Sequence, residues 1–101
     1  MADYTHITKM ENILNTHTEK IEALNELLDF MEAHTDAYKM LIEYYYSEQH
    51  KQDLEDDENH QIPETLHRGV LSEDSIYNLM EDYYDCGLRL FEVGLKMLKS
   101  R

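Results

Sequence analysis

From Ile7 onward the apolar residues of this chain fall into a seven-residue register. Ile7, Leu14, Ile21, Leu28 and Ile42 hold one position, and Met10, Leu24, Met31, Tyr38 and Tyr45 hold the position three residues on. Alternating steps of three and four residues place these side chains on one helical stripe, the seam of a coiled-coil type of packing. His17 and Thr35 interrupt it, and Glu19, Lys20, Glu22, Glu26, Asp29 and Glu32 line its flanks as a solvated face should. Neither Gly nor Pro occurs in the run, so the pattern predicts a helix over about 5–47. At His34–Asp36, "HTD", Thr and Asp are poor helix formers but good N-caps, and two readings stay open: a continuous helix, or one broken at 34–36. An unbroken helix would be about 60 Å long, against about 35 Å across for a compact domain of this size. Such a helix must either break or be covered by a partner.

After "YYYS" (Tyr44–Ser47) the apolar pattern stops. "EQHKQDLEDDENHQIPE" predicts a short frayed helix followed by an exposed acidic loop, with the whole segment of about 48–71 separating the helices. Pro63 suits the first turn of a short helix over 64–67. The segment "RGVLSED", Arg68 to Asp74, then reads as a stop, a corner and a start. Gly69 tolerates the left-handed backbone that ends a turn, Ser72 is placed to N-cap the next helix, and Glu73 and Asp74 suit its first turn. Leu71 and Ile76 have the spacing of a hydrophobic staple.

The last helix, about 73–99, carries Ile76, Leu79, Tyr83, Cys86, Leu90, Val93 and Met97 on one seam. A second stripe of Tyr77, Tyr84, Phe91 and Leu98 runs beside it. With Met80, Leu88 and Leu95 the apolar arc is wider than one neighbouring helix can cover. Gly87 and Gly94, one heptad apart, open the same face to close backbone approach. Tyr77, Tyr84, Gly87, Phe91, Gly94 and Leu98 are therefore the candidate interaction residues. The expected fold is all-α: an antiparallel helical hairpin or three-helix bundle with coiled-coil-like packing, a long acidic loop before the last helix, and Leu24 and Leu90 covered.

"YYYSEQH", the acidic "DLEDDE", Pro63, "LHRGVLSEDSIYNLMED" from Leu66 to Asp82 and, more loosely, "ITKMENIL" together resemble a small bacterial family known as domain of unknown function 4298. The likeness covers most of the chain. Tyr46 stands where the family pattern has Gly, His50 where it has Trp, and His60 where it has Gly, so the 46–60 segment is expected to differ. The resemblance implies a helical fold and no particular chemistry.

The chain has 101 residues, one domain's worth, and 42% of them are hydrophobic, enough for a modest core. Nine Lys and Arg face 22 Asp and Glu, a formal net charge of −13. Such a polyanion is repelled by phosphate backbones and anionic lipid, which argues against direct nucleic-acid or membrane binding and for a basic protein partner. No leader-like or bilayer-spanning stretch is apparent, so the cytoplasm is the expected location. The lone Cys86 fits a reducing compartment. It lies on the apolar seam beside Asp85, whose charge disfavours the thiolate, and reads as a packed core thiol.

Candidate chemistry is sparse. Asp53, Glu55, Asp57, Asn59, Gln61 and Glu64 fall at the ligand positions of a twelve-residue calcium loop, but Glu58 replaces the glycine at position six and Pro63 precedes the last ligand. A solvated acidic segment is the competing reading. The six histidines, His6, His17, His34, His50, His60 and His67, lack zinc-site spacing. His17 alone occupies a seam position, as a tolerated core histidine or a register-setting one. No catalytic residue and no cofactor is expected. The sequence therefore points to a non-enzymatic interaction protein that forms homo-oligomers. The alternatives are a nucleic-acid mimic inhibiting a DNA- or RNA-binding protein and, more remotely, a carboxylate metal-binding protein.

Overall fold

The computed structural model describes residues 2–101, and among these the regular structure is entirely helical. Helix α1 spans Thr5–Ala33, α2 Thr35–Tyr45, α3 Glu48–Glu58 and α4 Ser75–Lys99, with a single 3-10 turn at Gly69–Leu71 between the last two. The chain divides into two compact units, one ending at Lys39 and the other running from Met40 to Arg101.

In the first unit, the Asp3 carboxylate accepts the Thr5 N–H at 2.9 Å at the head of α1. The bond from the Thr5 hydroxyl, and after it this backbone bond, hold the Asp3 carboxyl below its ordinary value. The helix extends for 29 residues, about 43 Å at 1.5 Å per residue, and buries none of them. Ile7, Met10, Leu14 and Leu28 of the apolar face are exposed, and Leu24 is half-buried. His17, on the seam, is exposed too, and its Nδ1–H donates to Ile13 O at 2.9 Å.

The break near 34–36 falls on His34 alone, whose backbone (φ −108°, ψ 16°) leaves the helical range. Its ring stacks on Phe30 with centroids 4.0 Å apart, and its Nδ1–H donates to Phe30 O at 2.9 Å. The Thr35 hydroxyl donates to Met31 O and Glu32 O at 3.1 and 3.2 Å. Side chains that back-bond to the preceding turn compete with the backbone ladder and bend it, so His34 and Thr35 together explain the interruption. Helical bonding then resumes with Tyr38 N–H to His34 O at 3.0 Å.

The second unit corrects the expected acidic loop. Residues 48–58 are an ordered helix, and irregular chain begins only at Asn59. Ser47 caps α3: its backbone is extended, and its Oγ accepts the His50 N–H at 3.1 Å while donating to Tyr44 O at 2.6 Å. Gln49 to Asp53 (2.9 Å), Gln52 to Asp56 (3.0 Å) and Lys51 to Glu48 (3.3 Å) add neighbouring-turn pairs on a helix with almost no apolar residue. The helix ends in a Schellman motif. Gln61 N–H reaches Asp56 O at 2.9 Å and His60 N–H reaches Asp57 O at 3.1 Å, with His60 in the left-handed region at φ 57°.

Further corrections follow along the loop. Pro63 opens one turn, closed by Leu66 N–H to Pro63 O at 3.0 Å, and no helix forms over 64–67. Gly69 does not take a left-handed conformation. It begins the 3-10 turn, and a Cβ added there would meet nothing within 4 Å. Ser72 does not cap α4: the N-cap position falls on Asp74, and the Ser72 Oγ pairs with the Ser75 Oγ, while its N–H closes the 3-10 turn on Gly69 O at 3.1 Å. Helix α4 starts at Ser75, where Asp74 O takes the first helical bond, from Asn78 N–H at 2.8 Å. The 3-10 turn packs against both α3 and α4, and the buried residues lie around this junction. Ile76 is 4% exposed and His50 8%, with Leu71 half-buried. Beyond the junction the α4 seam is open: Leu90 is 44% exposed, and Cys86, expected in a packed core, is exposed as well.

Candidate interaction surface

The feature that the structure leaves most open is the second stripe of α4. Tyr77, Tyr84, Phe91 and Leu98 follow one another at seven-residue intervals, so they share one helix face, and they are 50, 68, 83 and 81% exposed. Leu88 and Leu95 beside them are exposed, whereas Met80 is half-buried. Between the large side chains lie Gly87 and Gly94, where a Cβ would meet open space. The Tyr77 hydroxyl bonds the Glu81 carboxylate one turn on, which raises the phenol above its ordinary value, and the Tyr45 and Tyr46 phenols raise it further. All six candidate interaction residues thus sit on a single exposed helix face. The turn residues Arg68, Gly69, Leu71, Ser72 and Ile76 sit at its N-terminal root.

That root is fixed by a compact polar and aromatic cluster. The Tyr44 hydroxyl donates to Asp53 Oδ2 at 2.6 Å, and Gln49 donates to Asp53 Oδ1. Burial first, and then the bond to Asp53, push the Tyr44 phenol up to about 12. The bonds from Tyr44 and Gln49 hold the Asp53 carboxyl below its ordinary value. The His50 ring lies edge-on to Tyr44 at 5.1 Å and tilted against Tyr45 at 5.5 Å. Its Nε2 faces Val70 O at 3.3 Å; a carbonyl can only accept, so the proton sits on Nε2. Arg68 Nη1 meets Asp57 Oδ1 at 2.6 Å, tying the loop to the end of α3. An open cleft of about 730 Å³ lies beside this cluster, lined by Tyr45, Tyr46, His50, Leu54, Leu71 and Glu73 among others.

The calcium-loop reading does not survive. Asp53, Glu55 and Asp57 lie on regular helix, where residues two apart point to different sides and cannot wrap an ion as a loop does. Asp53 and Asp57 are already bonded to Tyr44 and Arg68, and Asn59 is the C-cap. Gln61 and Glu64 follow in irregular chain. Among the described residues no group of three or more His, Cys, Asp or Glu is placed to hold a metal ion.

Sequence reasoning missed His50 and Ser47. His50 is one of six scattered histidines, and nothing in their spacing marks the one whose ring is buried. Ser47 preceding the acidic Glu48 is an N-cap signature that the loss of apolar periodicity hid.

The described residues form an all-helical protein, with no helix long and apolar enough to cross a membrane. Over residues 7–92 the chain matches the family described as Domain of unknown function (DUF4298), and it belongs to that family. Neither the curated proteins nor the solved structures contain a match.

Proposed function

We propose that this chain is a non-enzymatic interaction protein that associates with itself through the exposed stripe of α4. The observation that carries the reading is the row Tyr77, Tyr84, Phe91 and Leu98, four large side chains at least half exposed on one helix face. Contiguous apolar surface of this kind is rare on monomers, and aromatic side chains are the common anchors of interfaces. The acidic face of α3, with Glu48, Glu55 and Glu58 exposed, supplies a second surface suited to a basic protein partner.

Light scattering on the purified chain tests the first part. A mass that is a multiple of 12.1 kDa is expected, and Phe91→Glu should return it toward 12.1 kDa by weakening association at least about tenfold, since burying a Phe side chain is worth about 1.5–3 kcal/mol. A wild-type chain of 12.1 kDa at every concentration overturns the reading.

A further inference from the structure

The exposed stripe is surrounded by an uneven distribution of charge that specifies how a second copy would lie on it. From Glu73 to Asp85 the chain carries five acids, Glu73, Asp74, Glu81, Asp82 and Asp85, and no base. From Cys86 to the end it carries four bases, Arg89, Lys96, Lys99 and Arg101, against the single acid Glu92. All of these are exposed. Within its own bounds helix α4 carries Glu81, Asp82 and Asp85 in its first half and Arg89, Lys96 and Lys99 against Glu92 in its second, in a chain whose charges before Glu73 are sixteen acids and five bases. Helix α1 offers no such arrangement, because its six acids are met only by Lys9 and Lys20.

We propose that the partner of the α4 stripe is the α4 stripe of a second copy, running antiparallel, with the two helices crossing close to Gly87. The inference rests on the self-association proposed above and adds its geometry. In a parallel pair the acidic halves would lie together, as would the basic halves, and the helix dipoles would also align. In an antiparallel pair each acidic half faces a basic half and the dipoles oppose. Packed helices lie 8–10 Å apart, about one Debye length at physiological salt, so charges on the flanks of the stripe, such as Glu81 and Lys99, act across the pair, whereas those on the outer side are screened. The flanking charges select orientation, and the apolar stripe supplies the contact. Superimposing the centre of the acidic run on that of the basic run places the crossing within about a turn of Gly87. There the middle of the apolar arc has no side chain, and a Cβ would meet nothing within the chain. Flanking this point, Tyr84 of one copy would meet Phe91 of the other, and Tyr77 would meet Leu98.

Cross-linking of single-cysteine chains with a short bismaleimide tests this, in a Cys86→Ser background. Tyr77→Cys and Leu98→Cys chains are compared alone and mixed. Antiparallel pairing predicts that the mixture yields several-fold more linked dimer than either chain alone. Asn78→Cys mixed with Lys96→Cys repeats the comparison with the stripe intact, in case either first variant loses helicity. Efficient linkage of Leu98→Cys to itself, or a dimeric mass without linkage in either mixture, overturns the antiparallel α4 pair while leaving self-association standing. A wild-type chain that stays monomeric by light scattering overturns both.

Discussion

At His60 a single dihedral angle carries a testable energy. The φ of 57° places an imidazole-bearing residue where the Cβ crowds the following carbonyl, a cost of about 1 kcal/mol that glycine avoids. His60→Gly should therefore raise stability by about 1 kcal/mol, read as a higher urea midpoint; an unchanged or lower midpoint would count against the Schellman ending of α3. Asp53 and Tyr44 make a second residue-scale prediction. The Tyr44 phenol is held up to about 12, so its contribution to stability is complete below its unfolded value near 10 and is lost as pH rises through about 12. Asp53 works in the opposite direction: its carboxyl is depressed, so its contribution is present above the ordinary carboxylate range and is lost as pH falls through its lower folded value. Asp53→Asn should bring the Tyr44 phenol down from about 12 but leave it above 10, because burial, the larger cause, remains. Ring-carbon NMR titration of labelled tyrosine measures this, and a Tyr44 value that does not move would remove the bond to Asp53 from the account. Neither residue could be singled out by composition, since each depends on a partner that only the folded chain supplies.

Among the elements, α3 shows best why part of the fold was legible and part was not. Helices α1, α2 and α4 announce themselves by apolar spacing, and their extents follow the seven-residue register from Ile7 to Tyr45 and from Ile76 to Leu98. Helix α3 has only Leu54 as an aliphatic residue, so periodicity is silent there and the segment reads as a short frayed helix running into an acidic loop. It is held instead by the Ser47 cap, by Gln–Asp pairs along the helix, by the buried His50 ring and by the Arg68–Asp57 ion pair. A reading based on hydropathy counts all of these as solvent-facing. Ser47→Ala should consequently cost about 1 kcal/mol and Ser72→Ala well under that, because only the former side chain accepts a helix-terminal N–H. Chemical denaturation of both variants checks the order, and a larger loss at Ser72 would contradict the observed helix starts. The turn at Arg68–Asp74 was legible as a corner but not in its parts: Ile76 is the buried anchor, whereas Gly69 meets no steric demand and Ser72 closes the preceding turn.

For the molecule as a whole, the seams read from the sequence exist as helix faces, yet most of their side chains remain open, with Ile76 the one buried hydrophobic residue among those described. Heptad spacing reveals that a face is made to be covered; it does not say whether the cover belongs to the same chain. The exposed stripe of Tyr77, Tyr84, Phe91 and Leu98 was legible as a helix face because the width of an apolar arc is a property of a single helix, whereas the exposure of Cys86 and Leu90 was not. On the proposed reading this stripe is covered by another copy. Hydrogen exchange of the α4 amides at two protein concentrations tests it most directly. The account predicts that protection over residues 84–98 rises with concentration while that of α3 does not change. Exchange across 84–98 that is equally fast at both concentrations would contradict it.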